Sequence, residues 1–182
     1  MRRTVFDGLS LASPTPRVAF TAQAPCGRFL LWGDRAAADA AGRAFGVALP
    51  MQAGQAASDG PRAALWLGPD EWLVLLPEEE VAAVTQRMAE TLAGAAHALV
   101  DVGHRQAAIC VRGALAAAVL NAGCPLDLDI STFPPGTCTR TLFGKSEIVL
   151  WRMEENVFHV EAARSFMPYV VALLAAAARG LG

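Results

Sequence analysis

An α+β chain of two like lobes is what this sequence predicts, each lobe a split β-α-β unit of the ferredoxin-like kind with an antiparallel sheet. Short apolar runs bounded by Gly, Pro and Asp alternate with stretches of helical periodicity. Their order nearly repeats: strand, helix, long loop, two strands, helix over residues 28–93, then strand, helix, loop, three strands, helix over residues 105–179. The predicted organisation is an extended arm over residues 1–25 and a single domain over 26–182, with lobes at about 26–97 and 98–182.

Pro14, Pro16 and Pro25 keep regular structure out of the arm, while Val5, Phe6, Leu9 and Leu11 are spaced for docking on the body or on a partner. Arg28 to Trp32 is a short strand. Asp34 caps a helix from Arg35 to Phe45 that Gly46 ends. Residues 47–62 hold Pro50, Gly54, Gly60 and Pro61 and predict a long surface loop. Two apolar runs, Ala64–Leu67 and Glu71–Leu76, meet around Gly68-Pro69-Asp70 as a hairpin. Trp66 and Trp72 lie on these runs and are assigned to core or interface packing rather than to a stacking platform. Pro77 and Glu78 to Glu80 then open a helix, with Val81, Val84, Met88 and Leu92 along one face.

The centre of the chain, ALVDVGHRQAAICVRGALAAAVLNA (residues 98–122), reads as strand, polar elbow, strand, then a helix opened by Gly113. Leu126-Asp127-Leu128-Asp129 is a turn whose acids act as caps or stay solvated. Strands follow at Thr137–Leu142, Glu147–Arg152 and Val157–Ala162, and in the last of them Val157, His159 and Glu161 share a face. Ser165 to Arg179 is the closing helix.

At 54% hydrophobic and 18% charged the chain is apolar for its 182 residues, against about 45–50% and 25% in ordinary domains. That excess predicts a surface covered by a partner. A net charge of -2 with no basic run excludes nucleic acid as the expected partner. Met1-Arg2-Arg3 is followed by Thr4, Asp7 and Ser10, so no secretory signal is expected and the location is cytoplasmic. The apolar run Phe166 to Ala178 is shorter than the roughly 20 residues a membrane helix needs. Cys26, Cys110, Cys124 and Cys138 lack metal-ligand spacing and are expected to be reduced structural thiols. No dinucleotide fingerprint or phosphate loop is present, and Gly144-Lys145-Ser146 lacks the upstream glycine and following helix of one. In the elbow, Asp101, His104 and Arg105 could in principle do acid–base work. They are assigned instead to an ion-paired structural or interface corner at the lobe joint.

LWLGPDEWLVLLP (65–77), ALVDVGHRQAAICVRG (98–113), AGCPLDLD (122–129) and EAARSFMPYVVALL (161–174) together resemble the gamma subunit of heterotetrameric sarcosine oxidase. More distantly, residues 100–122 are similar to the opening of the folate-binding aminomethyltransferase module of glycine-cleavage T-protein type, and the resemblance extends to that fold. The resemblance implies a non-catalytic subunit of a complex converting sarcosine, oxygen and tetrahydrofolate to glycine, hydrogen peroxide and methylenetetrahydrofolate. FAD, FMN, NAD, tetrahydrofolate and zinc then belong to the alpha, beta and delta subunits, none to this chain, and alpha is the expected direct contact. A stand-alone folate-binding or aminomethyltransferase-like protein is the alternative, and an orphan assembly factor a further one. Two departures weigh against the folate reading. Gly103 stands where that superfamily commonly has Ser, and no Asp lies in the stretch Gly144 to Ile148 that aligns with its acidic pair.

Overall fold

The chain divides into two units, residues 25–104 and the remainder, each carrying its own five-stranded antiparallel sheet. The computed structural model describes residues 4–181, so Met1-Arg2-Arg3, where the basic start of the arm was placed, lie outside the described residues.

The first unit runs β2 (Cys26–Gly33), α1 (Arg35–Phe45), β3 (Ala56–Asp59), β4 (Arg62–Gly68), β5 (Glu71–Pro77), a 3-10 turn (Glu78–Glu80), α2 (Val81–Leu92) and β6 (His97–Asp101). Its sheet order is β3-β4-β5-β2-β6. Taken without β3, that is the split β-α-β pattern used twice, with each neighbour antiparallel. Local chemistry explains α1: the Asp34 carboxylate accepts from the Ala37 amide at 2.9 Å, and Gly46, at φ 88°, donates its amide to Gly42 O. Phe29 and Leu31 of β2 and Trp72, Val74 and Leu76 of β5 alternate onto the face that meets Phe45, Val84, Met88 and Leu92. Trp72 is fully buried, and its indole N–H donates to Pro50 O at 2.7 Å. That bond ties the stretch after α1 onto the core.

Two features of this unit differ from the sequence expectation. The stretch read as one long loop contains β3, held to β4 over Ala56↔Leu65 to Asp59↔Arg62. Its residues, AASD, have little strand propensity; backbone pairing made the strand. The strand at Ala98–Val102 was expected to begin the second lobe. It pairs instead with β2, from Phe29↔Asp101 to Gly33↔His97, and so completes the first. The boundary accordingly falls between His104 and Arg105 rather than at 97/98.

The second unit comprises β7 (Gln106–Arg112), α3 (Ala116–Asn121), β8 (Cys138–Phe143), β9 (Ser146–Glu154), β10 (Val157–Ala163) and α4 (Met167–Leu181), with β1 (Ala19–Ala22). The sheet order is β1-β7-β10-β9-β8. Position by position this matches the first unit: β7 with β2, β10 with β5, β9 with β4, β8 with β3. The place of β6 is taken by β1. The arm is thus no free extension: its end is the fourth strand of the second repeat, paired Ala19↔Arg112 to Ala22↔Ile109. Val18 and Phe20 are buried, and Val5, Phe6, Leu9 and Leu11 pack on the same core as Ile109, Val111, Phe158 and Leu174. Gly113 makes room for this crossing. At φ 130° it lies so close to Arg17 O and Val18 Cα that a side chain would overlap both. Gly144 (φ 60°) opens the two-residue hairpin turn between Phe143 and Ser146, which disposes of Gly144-Lys145-Ser146 as a phosphate loop. Among the described residues no helix is long and apolar enough to cross a membrane.

Candidate functional site

The elbow after β6 is open rather than buried. Asp101, His104 and Arg105 are all exposed. The Asp101 carboxylate accepts the Gly103 amide at 2.8 Å, a local turn bond, while Arg105 contributes its backbone carbonyl to the Arg164 amide at 2.9 Å. Among the described residues no ion pair joins the three. The expected ion-paired corner is absent because the turn bond engages the Asp101 carboxylate locally and the other two side chains extend into solvent. Trp72 is core; Trp66, its register partner across the hairpin, is half-buried against the same cluster.

A more catalytic-looking array sits on the face of the second unit's sheet away from its helices. His159 Nε2 lies 2.8 Å from Glu161 Oε1, with both residues buried. Directly across from His159 are Cys110 on β7 and Trp151 on β9, the Trp ring centroid 6.0 Å away. Cysteine, histidine and a carboxylate on neighbouring strands have the composition of a nucleophilic triad. The thiol argues against that use. Burial pushes Cys110 above its ordinary value, although Arg112 opposes the shift, and a nucleophilic cysteine needs the reverse. What the array holds together is the buried His159–Glu161 pair, with Cys110 half-buried beside it. Alternation along β10 placed His159 and Glu161 together in the sequence; Cys110 needed the inter-strand register.

Sequence reasoning missed Arg152. At the end of β9 it turns inward, 3% exposed, and donates to four carbonyl contacts: Leu128 O at 3.1 Å, Phe133 O at 2.7 Å, and Glu155 O from Nε at 3.0 Å and Nη2 at 2.6 Å. Its guanidinium carbon stands 4.8 Å from the centroid of the Phe158 ring. Burial draws its pKa down, and Asp129 and Glu155 oppose that. The clamp holds the loop carrying Asp127 and Asp129. Those acids are turn formers, as expected: Asp127 accepts the Asp129 amide at 2.9 Å, and Asp129 accepts the Ser131 hydroxyl at 2.6 Å and amide at 2.9 Å.

The Ser131 hydroxyl, then its amide, hold the Asp129 carboxyl below its usual range. A carboxylate with a lowered folded pKa supports the turn above its unfolded value of about 3.9 and ceases to do so as pH falls through the lowered one. Amide exchange at Ser131 and Thr132 should therefore quicken in acid across that interval. A rate there that follows only the chemistry of free peptides would remove Asp129 from the account.

Elsewhere, a cavity of about 480 Å³ lies beside the end of α1, lined by Asp39, Gly42, Arg43, Gly46, Ala48 and Leu49. Its charged lining residues, Asp39 and Arg43, are exposed, and it holds none of the cysteines or histidines of the chain. Among the described residues no three of His, Cys, Asp and Glu gather as metal ligands, and no disulfide joins the four cysteines.

Residues 32–179 match the family described as "Sarcosine oxidase, gamma subunit family". Sarcosine oxidase subunit gamma of Arthrobacter sp is 31% identical over 134 residues, which are 70% of this chain and 65% of that protein. The match thus spans less than two thirds of that relative's length. The structure is similar to a chain of heterotetrameric sarcosine oxidase from Corynebacterium sp. U-96, solved in complex with pyrrole 2-carboxylate. There the TM-score is 0.90 at 26% identity, over 98% of this chain and 95% of that one. Glycine cleavage system aminomethyltransferase T from Bartonella henselae shares the fold, with a TM-score of 0.68 at 13% identity over 87% of this chain and 45% of that one.

Proposed function

Since the chain belongs to the sarcosine oxidase gamma subunit family, we propose that it is a non-catalytic subunit of a heterotetrameric complex. That complex converts sarcosine, oxygen and tetrahydrofolate to glycine, hydrogen peroxide and methylenetetrahydrofolate. The carrying observation is the likeness, nearly end to end on both chains, to a chain of a heterotetrameric sarcosine oxidase. The chemistry within the chain agrees: His159 and Glu161 are buried and paired with each other, and the half-buried Cys110 thiol is shifted away from reactivity. FAD, FMN, NAD, tetrahydrofolate and zinc are held by the alpha, beta and delta subunits in this reading, with alpha in direct contact and the whole in the cytoplasm.

Co-expression with the other subunits tests it. The chain should co-purify at fixed stoichiometry, and Cys110→Ala or His159→Gln should leave sarcosine turnover per assembled complex unchanged. An assembled complex that loses turnover in either variant would move this chain into the catalytic machinery. Saturable tetrahydrofolate binding by the free chain would instead favour the stand-alone folate protein.

The elbow is proposed as an assembly contact. Because His104 and Arg105 are exposed, replacing either by alanine should change the stability of the free chain by no more than about 0.5 kcal/mol. Affinity for the partner subunits should fall. A large drop in melting temperature with unaltered assembly would reverse both halves of that expectation.

A further inference from the structure

Resting on the subunit reading, we infer that the open edge of β6 accepts an extended segment of a partner subunit by strand addition. β6 is the last strand of the first unit's sheet and pairs on one side with β2 alone. Of its five residues, His97, Ala98, Val100 and Asp101 are exposed. In an antiparallel edge strand, alternate amides and carbonyls face outward without a ladder partner, and this dictates the occupant: another extended backbone satisfies them in register.

Apart from Asp101 at the strand's end, the devices that usually protect such an edge are lacking here. β6 carries no lysine, proline or bulge, and its centre is Ala98-Leu99-Val100. The other sheet edges are better guarded. β1 lies between Pro16 and Pro25, β3 ends in Asp59 at a glycine turn, and β8 carries Arg140, paired with Glu147 at 3.7 Å.

Side chains add specificity. Trp32 lies across from Ala98, and Leu30 across from Val100, so Trp32, Val100 and Ala98 share one face as an apolar strip. Trp32 is 37% exposed and Val100 43%. The incoming segment therefore carries apolar side chains at alternate positions on that face. On the other face the exposed Asp101 carboxylate, with a single local hydrogen bond, favours a basic side chain opposite it.

Val100→Lys places a charge on this strip at an exposed position, and Val100→Thr keeps β-branching without the charge. Leu142→Lys, at a 49% exposed residue on the β8 edge, is the matched control. In the co-expressed complex, Val100→Lys should weaken retention of the partner subunits at least tenfold, while Val100→Thr and Leu142→Lys retain them. Free-chain melting should stay near wild type in all three. Hydrogen exchange should show alternate amides between residues 97 and 101 gaining protection on assembly.

If wild type assembles but those amides gain no protection, or Val100→Lys assembles undiminished, strand addition is wrong and the subunit reading stands. If wild type fails to co-purify at all, the subunit reading fails and takes the inference with it. Pairing of β6 with a second copy of this chain, in place of a partner, also overturns it.

Discussion

Arg152→Met should destabilise the second unit by roughly 3 to 5 kcal/mol, although the residue lies at the end of a strand and contacts nothing catalytic. Methionine fills much of the volume but donates no hydrogen bond. Leu128 O and Phe133 O, the carbonyls of two buried residues, would be left unpaired at about 1–3 kcal/mol each. Loss of the contact with the Phe158 ring adds about 0.5–2 kcal/mol. Arg152→Lys should fall between, because an ammonium cannot fork toward Leu128 O, Phe133 O and Glu155 O at once. Denaturant midpoints for the three proteins decide the matter. A loss below about 1 kcal/mol in the methionine variant would mean that water replaces the guanidinium easily and that the clamp is ornamental.

The elements legible in the sequence were those whose cause is local. The helix at Arg35–Phe45 carried its cap at Asp34 and its stop at Gly46, and both act as caps in the structure. Strands β8, β9 and β10 lie within about two residues of their expected bounds because alternation and glycine turns delimit them. What escaped depended on partners distant in the chain. β1 and β3 are short runs of mostly small residues that become strands by pairing with β7 and β4. β6 was recognised as a strand and given to the wrong sheet, since periodicity says nothing about which neighbour supplies the ladder. The candidate site shows the same division. The shared face of His159 and Glu161 follows from counting by two, whereas Arg152 in EIVLWR looked like a polar strand end. Its burial arises from the carbonyls of residues 128, 133 and 155 converging on it. The elbow misled for the opposite reason: an Asp, a His and an Arg close in sequence suggested an ion pair, and the Asp101 side chain turned back to its own backbone.

Deleting residues 1–24 should leave the second unit without a cooperative fold, an effect larger than that of any single substitution. The deletion removes the β1 ladder and the buried Val18 and Phe20, at about 1.5–3 kcal/mol of burial each. It also strips Val5, Phe6, Leu9 and Leu11 from the same core. Against a total stability of about 5–15 kcal/mol for an ordinary domain, that is most of the margin. Gly113→Ala should act in the same direction and more weakly, since its methyl group would press on Arg17 O and Val18 and displace the strand. The repeat then suggests how to restore what deletion removes. In the first unit four residues, Ala93 to Ala96, connect α2 to β6, the strand that occupies the place of β1. A chain beginning at Pro25, with residues 17–24 appended after Leu181 through a linker of that length, should therefore regain cooperative unfolding. Its midpoint should stay below wild type, because the four apolar residues before Ala12 are still missing. Circular dichroism melts of the wild-type, deleted and permuted chains provide the comparison. A deleted chain melting like wild type would show β1 to be dispensable. A permuted chain as disordered as the deleted one would show that β1 is no substitute for the fourth strand of the repeat, whatever its place in the sheet.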